Sequence, residues 1–129
     1  LCRPALATLA TGLYSHQNKI TGNNPADTPE NLAHAKRTGE DPKELIISNI
    51  DKHGCLPHWL GKKGYVSHQS GKWWEGPYQR GGFTEGMTRG YPNPGGRHGD
   101  DGLKIGREGM EPVFDFIRLL LECTIQRMR

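Results

Sequence analysis

The sequence is poor in the residues from which hydrophobic cores are built. Leucine, isoleucine, valine and phenylalanine make up 24 of its 129 residues, or about 19%, and chains below roughly 20% are often disordered. The net charge is only +3, so charge repulsion does not account for this polarity. No apolar run reaches the roughly 18 residues of a transmembrane helix. We therefore predict a mostly irregular or extended chain that is not an independent globular domain.

Cysteine is also scarce, with Cys2, Cys55 and Cys123 spread widely along the chain. An odd number of distant cysteines argues against the disulfide framework of a small secreted protein. The cluster His53-x-Cys55-x-x-His58 has metal-ligating side chains, but a structural zinc site usually has four ligands. We therefore predict neither a metal nor a cofactor, and interpret this stretch as a helix end followed by a proline turn.

Catalytic groups are not evident either. The stretch His98-Gly99-Asp100-Asp101 has the residue types of an acid–base site. Nothing elsewhere in the sequence completes it, and a tight solvated turn accounts for the same residues. We predict that the protein has no catalytic residues and is not an enzyme.

Glycine, by contrast, is abundant, and 14 of the 18 glycines fall between Gly61 and Gly109. A glycine or proline at every third or fourth position interrupts helices and central strands. We predict an extended segment over 61–110 with little internal pairing, held to partners by aromatic side chains, which are the usual anchors of interfaces. The predicted anchors in and beside this segment are Trp59, Trp73, Trp74, Tyr78 and Phe83.

Three arginines, Arg80, Arg89 and Arg97, accompany these aromatic residues. Arginine interleaved with aromatics suits RNA, through phosphate contacts and base stacking. The same side chains also suit carboxylates of an acidic protein partner. RNA-binding arrays repeat the Arg-Gly-Gly unit many times, whereas this sequence has it once, at Arg80.

Local signals predict short helices at about 29–38, 42–53 and 112–128, with little or no β-sheet. Thr28 before a proline is a helix cap, and Gly39 is a stop signal. Asp41 and Glu44 form a capping-box pattern, and Gly54 follows as the next stop. A shorter helix within 4–16 is also indicated, with Gly12 interrupting it.

The helix at 112–128 has a broader apolar face than the rest of the chain is able to cover. We predict that it docks on a partner. Its predicted contact residues are Phe114, Ile117, Leu120, Leu121 and Ile125. The predicted organisation is thus an N-terminal segment with short helices (1–60), the extended segment (61–110) and a docking helix (111–129).

Together these features predict a non-enzymatic accessory or structural subunit that connects neighbouring subunits of a large organellar complex of respiratory or photosynthetic type. Its expected partners are several protein subunits, with RNA and a nearby membrane surface as further candidates. The expected location is mitochondrial, on the matrix side of the inner membrane, with the plastid as the alternative. A first residue other than methionine suits a protein whose targeting segment has been removed.

Two alternatives remain open. A peripheral protein of an organellar ribosome or other ribonucleoprotein would use the same arginine and aromatic residues to contact RNA. Most such proteins are more basic than this sequence, which has 17 lysine and arginine residues and 14 acidic residues. A small metal-binding domain around Cys55 ranks third.

Overall fold

The computed structural model describes residues 1–26, 28–88 and 107–127. Helices account for more than half of these residues, and the sheet found among them consists of two short strands. This confirms the prediction of helical and irregular structure with little sheet, although helix is more extensive than predicted. The helices are α1 (Cys2–Thr11), α2 (Ser15–Asn18), α3 (Pro29–Thr38), α4 (Pro42–Ile47), α5 (Leu56–Gly61) and α6 (Glu111–Arg127). Two 3-10 helices span Ile50–Lys52 and Tyr78–Gly81, and the strands are β1 (His68–Gln69) and β2 (Glu85–Gly86).

The chain divides into two compact units. Unit 1 comprises Leu1–Tyr65 and Arg80–Gly82, and unit 2 comprises Val66–Gln79 and Phe83–Arg129. The predicted division into 1–60, 61–110 and 111–129 stays a prediction.

In unit 1, the helix predicted within 4–16 is divided in two. Gly12 ends α1 in a left-handed conformation, with φ 71°, and its backbone N–H donates to the carbonyl of Thr8. This conformation costs glycine little and other residues more. The Thr11 hydroxyl also donates to the Ala7 carbonyl, at 2.7 Å. Glycine at position 12 therefore ends the first helix and allows α2 to begin three residues later.

The prediction for α3 is confirmed at both ends. The Thr28 hydroxyl accepts a hydrogen bond from the Asn31 backbone N–H, at 3.2 Å. Gly39 has a left-handed φ of 71° and its N–H donates to the Ala35 carbonyl. Both boundaries are set by residues within four positions of the helix end, which is why the sequence predicted them.

The prediction of one helix over 42–53 is wrong in its second half, because α4 ends at Ile47. The Ser48 hydroxyl and the Asn49 side-chain amide both donate to the carbonyl of Leu45, each at 3.3 Å. Side chains of this kind compete with the backbone for helical hydrogen bonds. The chain continues as a 3-10 helix instead.

The short helix α5 is a correction of the proline turn predicted after Cys55. Pro57 occupies the first turn of α5, where the missing N–H of proline costs nothing. The Cys55 backbone N–H donates to Nδ1 of His58, at 3.0 Å. A proline followed by a polar side chain that reaches back to the cap is a helix-start signal that the prediction missed.

The core of unit 1 is small and partly polar. Aliphatic side chains from α1, α4 and the following 3-10 helix form its centre, together with the buried side chains of Arg3 and Asn18. Its buried residues include Arg3, Ala7, Asn18, Ile20, Ile46, Ile47, Ile50 and Cys55.

In unit 2, the glycine-rich stretch pairs with itself, whereas the sequence predicted an extended segment with little internal pairing. Strands β1 and β2 are parallel, with His68 opposite Glu85 and Gln69 opposite Gly86. The Gln69 side-chain oxygen accepts from the Thr88 backbone N–H, at 2.9 Å. The closure of this loop depends on residues about twenty positions apart, which local sequence signals do not reveal.

Helix α6 confirms the predicted C-terminal helix as far as residue 127, and position 128 lies outside the described residues. Most of its large apolar side chains are exposed. They include Phe114, Ile117, Leu119, Leu120, Leu121 and Ile125. Among the helices in the described ranges, none has both the length and the apolar character needed to span a membrane.

Candidate functional site

Unit 1 contains a cleft of about 460 Å³ beside the 3-10 helix that follows α4. Its volume falls within the range of roughly 300–1,000 Å³ that is usual for small-molecule sites. Basic and aromatic side chains dominate its wall. The lining residues are Asp51, Lys52, His53, Gly54, His58, Trp59, Lys62 and Arg80.

Arg80 fixes one side of this cleft through two carboxylates of its own chain. Its Nε and Nη2 donate to the two Asp51 oxygens, at 2.8 and 2.6 Å, and Nη2 also donates to Glu44. The hydrogen bonds to Asp51 and then Glu44 raise the pKa of the Arg80 guanidinium, outweighing the opposing effect of burial. The predicted role of Arg80, Arg89 and Arg97 in contacting RNA or an acidic partner stays a prediction, and the last two lie outside the described residues.

His58, another residue of the cleft wall, is held in one orientation. Its Nδ1 accepts from the Cys55 backbone N–H, so the neutral ring carries its proton on Nε2. Gly82 lies against the ring with a left-handed φ of 81°, and a Cβ atom at this position would lie 2.5 Å from the ring Cγ. Glycine is therefore required here both by the backbone conformation and by the space that His58 occupies.

Trp59 presents an indole ring at the cleft that is 57% exposed. The Lys62 ammonium lies 4.2 Å from the ring centroid, within the range of a cation–π interaction. Gly54, with a φ of 65°, lies against the same ring, since a Cβ atom there would be 3.6 Å from the indole. The ring is thus oriented by its neighbours while much of its surface faces solvent.

The cluster of His53, Cys55 and His58 does not form a metal site in this structure. Within the described ranges, no three histidine, cysteine or acidic side chains come together as metal ligands. Cys55 is fully buried, and Nδ1 of His58 is occupied by a backbone hydrogen bond. The expected absence of a metal stays a prediction.

Cys2 is an exposed thiol in the first turn of α1. The adjacent Arg3 is buried and anchors this turn, because its backbone N–H donates to Oδ1 of Asn23 at 3.1 Å. The Arg3 guanidinium also donates to the Asn23 backbone carbonyl, at 3.2 Å. Cys2 is therefore an exposed thiol on a turn that Arg3 holds against Asn23.

The predicted anchors of the glycine-rich segment lie in varied surroundings. Trp73 is only 4% exposed and meets Phe83 edge to face, with ring centroids 5.5 Å apart. Trp74 lies beside the Lys72 ammonium, and Tyr78 and Phe83 are half-buried. The structure thus places Trp73 inside its own chain. That these residues, Trp59 and the apolar side chains of α6 bind partners stays a prediction.

Unit 2 also contains a histidine with an unusual environment. His68 packs against Phe116, with ring centroids 5.1 Å apart. Within the described residues, its Nδ1 is buried without a hydrogen-bond partner. Burial lowers the pKa of His68, and the nearby Glu85 carboxylate opposes this shift without reversing it.

The comparison with known families identifies the class of protein to which these features belong. Residues 1–111 match the family model described as Sulfatase. Since this match covers most of the 129 residues, the chain belongs to the sulfatase family. Comparison with curated proteins and with solved structures finds no match.

Membership of an enzyme family contradicts the prediction of a non-enzymatic accessory subunit of a respiratory or photosynthetic complex. It equally overturns the ribonucleoprotein alternative. The error came from treating the low aliphatic content and the glycine-rich stretch as signs of a chain that folds only on partners. The described part of that stretch instead forms the parallel pair β1–β2 and buries Trp73. The sequence predictions give Cys2 no reactive role, whereas the structure places it exposed in a first helical turn, a position in which cysteines can be reactive.

Proposed function

We propose that this chain carries catalytic residues of an enzyme that hydrolyses sulfate monoesters to an alcohol and inorganic sulfate. The observation that carries the proposal is the match of residues 1–111 to the sulfatase family. The matched region includes α1 to α5 and both strands. It therefore includes Cys2 and the cleft of unit 1.

Cys2 is our candidate for the nucleophile of this reaction. Cysteine is the most nucleophilic of the common side chains near neutral pH. Cys55 is fully buried and unable to meet a substrate, and Cys123 lies on α6 beyond the matched residues. Cys2 is exposed and lies within the match.

The surroundings of Cys2 suit an anionic substrate. The positive end of the dipole of α1, a helix of ten residues, lies next to the thiol and favours negative charge nearby. The two hydrogen bonds from Arg3 to Asn23 hold this turn against the following loop. A sulfate ester approaching Cys2 would thus meet a fixed turn with a favourable electrostatic potential.

The test is the release of 4-nitrophenol from 4-nitrophenyl sulfate by the full chain, with 4-nitrophenyl phosphate as a control for specificity. We expect Cys2→Ala to abolish release, because the nucleophile is lost. Cys123→Ala removes another exposed thiol, on α6, and should leave release unchanged. Activity that persists in Cys2→Ala would contradict the role of Cys2. A chain that releases 4-nitrophenol from the phosphate ester but not from the sulfate ester would contradict the sulfatase activity.

We also propose that the chain does not function as an independent globular domain. The apolar side chains of α6 support this, since Leu119, Leu121 and Ile125 are each more than half exposed. Such a face is suited to packing against further protein surface. The predicted location in mitochondria or plastids stays a prediction.

A further inference from the structure

We propose that the cleft of unit 1 binds a small anion that carries a flat aromatic ring. Cys2 is not among the described residues that line the cleft, so we propose this site in addition to the sulfate-ester hydrolysis above. Its volume of about 460 Å³ suits a ligand of one or two rings better than a lone inorganic ion.

The charge of the wall favours an anion. Three lining side chains, Lys52, Lys62 and Arg80, are cationic, and Asp51 is the acidic residue among them. Arg80 is bound by both Asp51 and Glu44, so these two carboxylates offset its charge, and Lys52 and Lys62 are the lining cations that an anion would meet. The two lysines contact neutral groups instead.

The contacts of these lysines leave their charges available to a ligand. The Lys52 ammonium donates to Oδ1 of the Asn49 amide, at 2.9 Å. The Lys62 ammonium lies over the Trp59 ring. An anionic group in the cleft would offer either ammonium a carboxylate-like partner, which binds it more strongly than an amide or an aromatic ring.

The exposed Trp59 indole supplies the surface for a ring. An aromatic ring on tryptophan gains from stacking as well as from removal of apolar area from water. The Lys62 side chain is exposed and flexible, so a ring could take its place on the indole while its ammonium turns to the anionic group. His58 bounds the cleft in a fixed orientation, set by Cys55 and Gly82.

The experiment is an NMR titration of the ¹⁵N-labelled full chain with naphthalene-2-sulfonate. We expect saturable shifts of the Trp59 indole N–H and of the Gly54 amide, with unchanged signals from α6. Lys62→Gln and Trp59→Ala should each weaken binding about fivefold or more, as expected for loss of one cation or one stacking partner. Both side chains are exposed, and the spectrum of each variant shows directly whether it is folded.

Matched controls separate a specific site from general attraction of anions. Lys63→Gln removes an exposed neighbouring lysine that is not among the described lining residues, and should leave the affinity unchanged. Methanesulfonate lacks the ring and 2-naphthalenemethanol lacks the charge, so each should bind at least about fivefold more weakly. The proposal is overturned if either compound binds as tightly as naphthalene-2-sulfonate, or if Lys63→Gln weakens binding as much as Lys62→Gln. Neither result depends on turnover of a sulfate ester.

Discussion

Replacement of Arg80 by alanine is the most direct test of how unit 1 holds its cleft together. Arg80 connects Glu44 on α4 with Asp51 on the following 3-10 helix, positions 36 and 29 residues away in the chain. The substitution removes four charge-assisted hydrogen bonds, three to Asp51 and one to Glu44. It also leaves two carboxylates near each other without their shared cation.

The magnitude follows from the exposure of the three side chains, which is 21% for Arg80, 38% for Glu44 and 46% for Asp51. Hydrogen bonds to charged groups contribute roughly 1.5–3 kcal/mol when shielded. Pairs in full contact with solvent contribute roughly 0.2–1 kcal/mol. Because the hydrogen bonds of Arg80 to Asp51 and Glu44 are only partly shielded from solvent, we expect Arg80→Ala to lower the free energy of unfolding by about 1–2 kcal/mol.

Urea denaturation at pH 7 measures this change, and a double-mutant cycle with Asp51→Asn isolates the pair. Arg80→Lys keeps the charge but not the two-pronged geometry, so it should recover only part of the loss. Arg118→Ala is the matched control, since Arg118 contacts Asp115 at 3.5 Å with both side chains at least 60% exposed. If Arg80→Ala lowers the free energy of unfolding no more than Arg118→Ala does, or if the cycle shows no coupling, the contacts of Arg80 with Asp51 and Glu44 do not stabilise unit 1.

Three further predictions concern the remaining packed positions. Gly82→Ala should lower the free energy of unfolding by about 2 kcal/mol or more in urea denaturation, because it combines a left-handed backbone with a clash against His58; an unchanged midpoint would contradict this contact. His68 has a lowered pKa in the folded chain, so as the pH falls below about 6.5 the unfolded chain binds a proton at this histidine before the folded chain does. The free energy of unfolding should therefore decline from pH 7.5 to 5.5, and it should decline less in His68→Phe. Ile50 is fully buried, so Ile50→Ala should lower the free energy of unfolding by about 2–5 kcal/mol. Leu121 is 59% exposed, so Leu121→Asp should change the unfolding free energy of this chain by less than about 0.5 kcal/mol.

The elements that the sequence determined are those whose signals lie close to them in the chain. Helix α3 begins at the Thr28 cap and ends at Gly39, as its sequence predicts. The capping oxygen and the left-handed glycine act within one helical turn, so no distant residue is needed to specify them. Helix α6 was predictable for a similar reason, because its apolar pattern repeats with the helical period over 17 residues.

The tertiary structure alone decided which distant residues meet. Arg80 appeared in the sequence as a candidate for RNA or acidic partners, and the fold places it on Asp51 and Glu44 of the same chain. Trp73 appeared as a surface anchor, and the fold buries it beside Phe83. Composition specifies how much apolar and charged surface a chain contains, but contacts between distant residues depend on how the loops close. Those contacts build the core, the cleft and the candidate site of a sulfatase-family chain, and no local pattern encodes them.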